Sequence, residues 1–263
     1  MQSRVAFAAV ALLAAGTAPL SGQSGRQAAP SGGGEASFVV RIENVARRVL
    51  PLPTGIAADI PLSSGVWALH SGRNPILSPG EVQPGIGLQG LAEAGMAGAF
   101  APNLQGLPGV RASGAFETPL GRARGRMVTS QAEGGGANTS RMLQAGQHFE
   151  FTFTARPGDR LSLALMIAQS NDGLIATGPE GIPLFTADGR PVSGNLTADL
   201  FLWDAGTEVN EEPGRGRNQG LRQRAPHAGD RERRPVRPLA EAEFGDRWPP
   251  VDRIVRLTIT ARR

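Results

Sequence analysis

Wherever the hydrophobic residues of this chain form a clear pattern, the period is two. Phe149, Phe151 and Phe153 alternate with polar neighbours in Gln147–Ala155, Phe38, Val40 and Ile42 do so near the start of the patterned region, and Val255, Leu257 and Ile259 do so near its end. Successive side chains of extended backbone point to opposite faces, so this alternation predicts strands with one buried face. Helices have little room, because 36 Gly and 21 Pro are spread through the 263 residues and both weaken a helix interior. The expectation is one loop-rich, all-β domain whose first and last strands pair. Pro157-Gly158-Asp159 predicts a hairpin turn between Gln147–Ala155 and Arg160–Ala168. Gly87–Met96 predicts a short helix crossing one end of the sheets, and residues 121–141 predict a long surface loop.

Residues 1–22 read as a secretory signal, with Arg4 ahead of the apolar run from Val5 to Ala15 and small residues after it. Residues 23–36 predict a flexible Gly/Ser-rich segment and residues 37–262 the folded domain. The signal core falls short of the about 20 apolar residues that a spanning helix needs, and no later stretch approaches them. The chain is therefore expected to be secreted, extracellular or periplasmic, with its signal removed and no transmembrane segment. It has no cysteine, which excludes disulfides, thiolate metal sites and thiol catalysis.

Charge is unevenly placed. The net charge is +4, yet Gly214–Arg237 holds eight Arg against Asp230 and Glu232. Its Pro, Gly and like charges predict a mobile segment. Arg215–Arg237 is expected to bind polyanions weakly, and the absence of aromatic residues there argues against specific nucleic-acid recognition. The preceding segment, Leu200–Gly214, is its opposite: a strand-like run ending at Trp203, then Asp204, Glu208, Glu211 and Glu212 without a base. Such a loop is either a solvated surface loop or a cation site. Hard oxygen ligands suit Ca²⁺, which takes six to eight of them at roughly 2.3–2.6 Å. A second acidic turn, Ser170-Asn171-Asp172-Gly173, ends the strand Leu161–Ala168. If the two strand ends are neighbours, about 4.8 Å apart, Asp172 and Asp204 face one ion, and calcium becomes the favoured reading.

Other motifs carry less. Gly85-Ile-Gly-Leu-Gln-Gly90 has the spacing of a dinucleotide-binding loop, but turn material precedes it where a strand is required. His70, His148 and His227 fall in no zinc-hydrolase spacing. Asn138-Thr-Ser140 and Asn195-Leu-Thr197 are glycosylation sequons.

Taken in order, several segments resemble the spondin N-terminal domain, in particular its bacterial secreted members. They are Pro61-Leu-Ser-Ser-Gly-Val-Trp-Ala-Leu-His70, Gly90-Leu-Ala-Glu-Ala-Gly95, Pro157-Gly-Asp-Arg-Leu-Ser-Leu163, Ser170-Asn-Asp172, Gly181-Ile-Pro-Leu-Phe185, and Trp203-Asp-Ala-Gly-Thr-Glu-Val-Asn-Glu-Glu-Pro-Gly214 with Asn218-Gln219. The resemblance implies an antiparallel β-sandwich similar to calcium-dependent membrane-docking modules, with one Ca²⁺ held by loop carboxylates. Carried over, Asp172 and Asp204 take the places of the first and second acidic ligands. Glu208 sits where relatives often have Asp, and a backbone carbonyl from Leu200–Trp203 completes the shell. Relatives commonly carry Trp after the first Asp, where this chain has Gly173.

The function expected is therefore a secreted, non-enzymatic, calcium-binding domain for extracellular adhesion or ligand binding, its partner an unidentified extracellular or cell-surface ligand. Two other readings remain open on sequence: an exported hydrolase of polysaccharide or lipid using Asp204 and Glu208 as a carboxylate pair, and an anionic-polymer binder working through the Arg-rich segment.

Overall fold

The computed structural model describes residues 34–82, 85–124 and 142–262. The expected signal at 1–22, residues 23–33 of the expected flexible segment, residues 125–141 of the expected loop and the sequon at Asn138 lie outside the described residues. Within them the chain is an antiparallel β-sandwich.

The strands, in chain order, are β1 (Ala36–Asn44), β2 (Leu50–Pro51), β3 (Ala57–Ala58), β4 (Leu62–His70), β5 (Val110–Phe116), β6 (His148–Ala155), β7 (Arg160–Ile167), β8 (Gly173–Thr177), β9 (Ile182–Pro183), β10 (Gly194–Asn195), β11 (Leu200–Asp204), β12 (Arg237–Pro238) and β13 (Val255–Arg262). One sheet has the order β10-β13-β1-β6, and the other β12-β11-β8-β7-β4-β5 with β9 on β7. β2 and β3 form a small ribbon. The first and last strands pair as expected, from Ser37 opposite Arg262 to Asn44 opposite Val255.

The expected hairpin at Pro157-Gly158-Asp159 is not formed. β6 pairs with β1 in the first sheet, and β7 lies between β4 and β8 in the second. The turn is an arch between sheets, closed by Asp159 N–H donating to the Arg156 carbonyl (3.0 Å) and Arg156 N–H donating to Asp159 Oδ2 (2.8 Å). A hairpin would put the apolar faces of both strands side by side on one surface. The arch sets them face to face, so Phe149 and Phe153 share a core with Leu161, Leu163 and Leu165. Trp67 stacks on Phe151 with ring centres 5.4 Å apart. Burying one such side chain stabilises by about 1.5–3 kcal/mol, whereas a surface ion pair gives about 0–1. The core therefore decides the pairing.

β7 is buried along nearly its whole length, which requires cover on its outer face as well. Two helices supply part of it, α1 (Leu88–Ala94) and α2 (Ala97–Leu104). Leu88, Leu91, Phe100 and Leu104 pack with Val66, Ala164 and Met166 of the sheet. The helix expected at Gly87–Met96 is α1, and it lies on a sheet face rather than across an end. α2 has no counterpart among the elements expected from sequence. Leu221 and Val236 of the Arg-rich segment join the same outer cluster. Among the described residues, no helix is long and apolar enough to cross a membrane.

Candidate metal centre

The register of β8 and β11 builds the site. Asp204, the last residue of β11, lies opposite Gly173, the first of β8. Asp172 and Asp204 therefore meet at one end of the second sheet, as neighbouring strand ends. The Ser170–Gly173 turn is closed by Gly173 N–H donating to Ser170 Oγ (2.9 Å) and Ser170 Oγ donating to the Ile167 carbonyl (2.6 Å). A Cβ on residue 173 would lie 2.7 Å from Ser170 Oγ, so this turn leaves little room for a larger side chain there.

Asp204-Ala-Gly-Thr makes the second turn. Asp204 Oδ1 accepts Gly206 N–H (2.6 Å), as Asp side chains do when they cap their own turn. Gly206 has φ +68°, and a Cβ there would lie 2.4 Å from the Arg234 carbonyl oxygen. Gly206→Ala is accordingly expected to cost more than about 1 kcal/mol; urea denaturation checks this, and an unchanged midpoint would contradict it.

This turn aims three donors at Asp172. Thr207 N–H (2.6 Å), Thr207 Oγ (3.2 Å) and Glu208 N–H (3.1 Å) all donate to Asp172 Oδ2. The other oxygen, Oδ1, is buried and accepts nothing. Glu208 repeats the arrangement: Oε1 accepts Gly229 N–H (3.1 Å) and the buried Oε2 has no partner. Burial, then the Asp204 charge, pushes the Asp172 carboxyl up to about 7. Burial, then the charges of Glu93 and Asp172, pushes Glu208 up to about 8.

Asp204 is placed differently. Its Oδ2 accepts Asn210 Nδ2 (2.8 Å), Arg237 Nη2 (2.9 Å) and Arg237 Nε (3.2 Å). The expected trio therefore shares one end of the sheet, but only Asp172 and Glu208 have free oxygens; Asp204 is committed to an arginine.

Three further groups that the sequence did not single out as site residues belong to this end of the fold. Glu93, on α1, is fully buried; one oxygen meets His227 Nδ1 and the other, Oε1, has no partner. Gln223 donates Nε2 to the Glu93 carbonyl (2.7 Å), leaving its buried Oε1 unpartnered. His227 holds φ +60°, uncommon for a residue with a Cβ. The only sequence trace of this wall is a glutamate set among Leu91, Ala92 and Ala94 in an apolar helix.

The Arg-rich segment, which its composition predicts to be mobile, is joined to the rest of the fold through several of its side chains. Arg222 donates to Gln169 Oε1 (3.0 Å), Arg234 pairs with Glu232 (2.5 Å), and Arg237 with Asp204. Arg237 thus meets an acid 33 positions away in the chain, while Arg234 meets one only two positions away.

His70 belongs elsewhere. It is buried with Nε2 2.8 Å from Ser162 Oγ, and burial, followed by the charge of Arg160, pushes its pKa down.

Among the described residues, no three His, Asp or Glu groups stand close enough together to hold a metal ion as they are. The orphaned oxygens are the feature that fits one. Asp172 Oδ1, Glu208 Oε2, Glu93 Oε1 and Gln223 Oε1 are hard donors, buried and without partners, and each such group carries a desolvation cost that a bound cation offsets. No protein-family model matches the chain, and no curated protein does.

Proposed function

We propose that the protein is a secreted, calcium-stabilised β-sandwich of the spondin type, serving extracellular adhesion or ligand binding and doing no chemistry of its own. The observation that carries this reading is the set of buried carboxylate oxygens without hydrogen-bond partners, on Asp172, Glu208 and Glu93. Asp172 and Glu208 would supply the first ligands, Glu93 and Gln223 further ones after side-chain rotation, and Asp204 would act from behind, holding the Gly206–Thr207 turn that orients Asp172. Calcium would supply only charge neutralisation, which this end of the fold needs. The hydrolase reading is weaker, because its carboxylate pair, Asp204 and Glu208, is 0% and 1% exposed and Asp204 is held by Arg237 at 2.9 Å.

Calorimetric titration of chelator-stripped protein with calcium tests the proposal. Carboxylates that hold protons near neutrality must release them to a cation, so the measured heat should change with the ionisation enthalpy of the buffer. Asp172→Asn and Glu208→Gln should each weaken binding, while Asp204→Asn should act mainly by lowering stability. No binding by the wild-type protein, or binding unaltered in both Asp172→Asn and Glu208→Gln, would sink the site.

A further inference from the structure

A cleft of about 570 Å³ opens beside the acidic centre, walled by Val82, Gln89, Thr207, Arg231, Glu232 and Arg233. Arg231 and Arg233 are exposed, and neither side chain has an ion-pair or hydrogen-bond partner among the described residues. They differ in this from Arg222, Arg234 and Arg237 of the same segment. Their backbone is nonetheless held. Val209 N–H donates to the Asp230 carbonyl (2.8 Å), Glu232 N–H to that of Thr207 (2.9 Å), and Arg234 N–H to that of Gly206 (2.9 Å). Two free guanidinium groups are thus carried on a fixed backbone beside a cleft of the size that ligands occupy, about 300–1,000 Å³.

We propose that this cleft binds an acidic saccharide, with Arg231 and Arg233 taking its carboxylate or sulfate groups. Guanidinium forks match both oxyanions in geometry. The half-buried Gln89 offers an amide donor and acceptor to ring hydroxyls. Glu232 does not cancel the arginines, since its own charge is answered by Arg234 at 2.5 Å and Arg237 at 3.7 Å. No aromatic residue is among those lining the cleft. That removes the platform on which bases stack and on which neutral sugars lay their apolar faces, and leaves charge and hydroxyl recognition as the means of selection. Because the backbone is already ordered, binding does not carry the cost of ordering a loop. The inference goes beyond the calcium reading and needs no bound ion.

The test is calorimetry on chelator-treated protein with four probes: a heparin tetrasaccharide, tetragalacturonate, neutral cellotetraose and a short oligothymidylate. The two acidic saccharides should bind, which of them more tightly telling sulfate from carboxylate, and cellotetraose should not. The oligothymidylate should bind at least about tenfold more weakly than the better saccharide, a difference of about 1.4 kcal/mol. Replacing both arginines, Arg231→Gln with Arg233→Gln, should weaken saccharide binding by at least about tenfold and leave the melting temperature unchanged, because neither side chain holds another. The salt dependence should fall by about two counterions. In the wild-type protein, the heparin tetrasaccharide should shield Arg231 and Arg233 from phenylglyoxal more than Arg217 and Arg224, a readout independent of how the variant folds. Saccharide affinity unchanged in the double variant, equal shielding of all four arginines, or DNA binding as tight as that of the saccharides would overturn the assignment. Since calcium is absent throughout, those outcomes leave the ion site untouched.

Discussion

Stripped of metal, the protein is expected to lose stability as the pH rises from about 5 to about 8, and calcium is expected to abolish or reverse that loss. The folded-state pKa values of Asp172 and Glu208 are raised, from 3.8 to about 7 and from 4.5 to about 8. Across that window the unfolded chain has already released both protons while the native protein still holds them, so rising pH favours unfolding. The stabilisation associated with these protons is complete below the unfolded pKa values and is lost as the pH passes the folded ones. A tenfold difference in proton affinity between the folded and unfolded chain is worth about 1.4 kcal/mol, which puts the combined effect of the two carboxyls at several kcal/mol. A cation that binds the ionised carboxylates replaces the protons, and adds about 2.7 kcal/mol at a hundredfold excess over Kd. Urea denaturation at several pH values, with chelator and with calcium, measures both slopes. Parallel slopes would mean that calcium does not reach these carboxylates. Stability that rises with pH in chelator would mean that they are already ionised in the native state.

The second large effect is expected at Arg237. Its side chain is 16% exposed and pairs with Asp204, which is fully buried, at 2.9 Å. It also lies 3.2 Å from Glu243 and 3.7 Å from Glu232. Arg237→Ala leaves Asp204 buried with only Gly206 N–H and Asn210 for company, and removing one partner of a buried pair costs about 3–5 kcal/mol. Adding Asp204→Asn to Arg237→Ala should recover part of that loss, because the uncompensated charge goes with it; a coupling above about 1 kcal/mol in the double-mutant cycle is the expected reading. A loss below about 1 kcal/mol for Arg237→Ala alone would show that solvent and Asn210 suffice for Asp204.

That arginine marks where sequence reasoning reached its limit. Composition made the segment around Arg237 a solvated, repelling loop, because Asp204, the buried acid that answers Arg237, lies 33 positions earlier on β11, and a linear reading cannot bring the two together. The same limit explains the arch after β6. Pro157-Gly158-Asp159 specifies a reversal of direction, but whether the returning strand joins the same sheet depends on what must cover both faces of β7, and Val66, Phe100 and Leu104 are distant in the chain. Glu93 was hidden for the same reason: a lone glutamate in a short helix acquires meaning only when α1 is laid against the sheet.

By itself the sequence determined the strands Ala36–Asn44, His148–Ala155 and Val255–Arg262, since a period of two among Phe, Val, Ile and Leu is what extended backbone with one buried face requires. It also determined the joining of the chain's first and last strands, and the two acidic turns, since Ser170 with Gly173, and Asp204 with Gly206, close them through short-range hydrogen bonds. The tertiary structure alone decided which acids are free and which are spent. Asp204 and Asp172 are the same residue type at equivalent strand ends, yet packing of the Arg-rich segment delivers Arg237 to one and leaves Oδ1 of the other buried without a donor. The cost of an unsatisfied charge depends on what surrounds it in space, and those surroundings come from residues dozens of positions away.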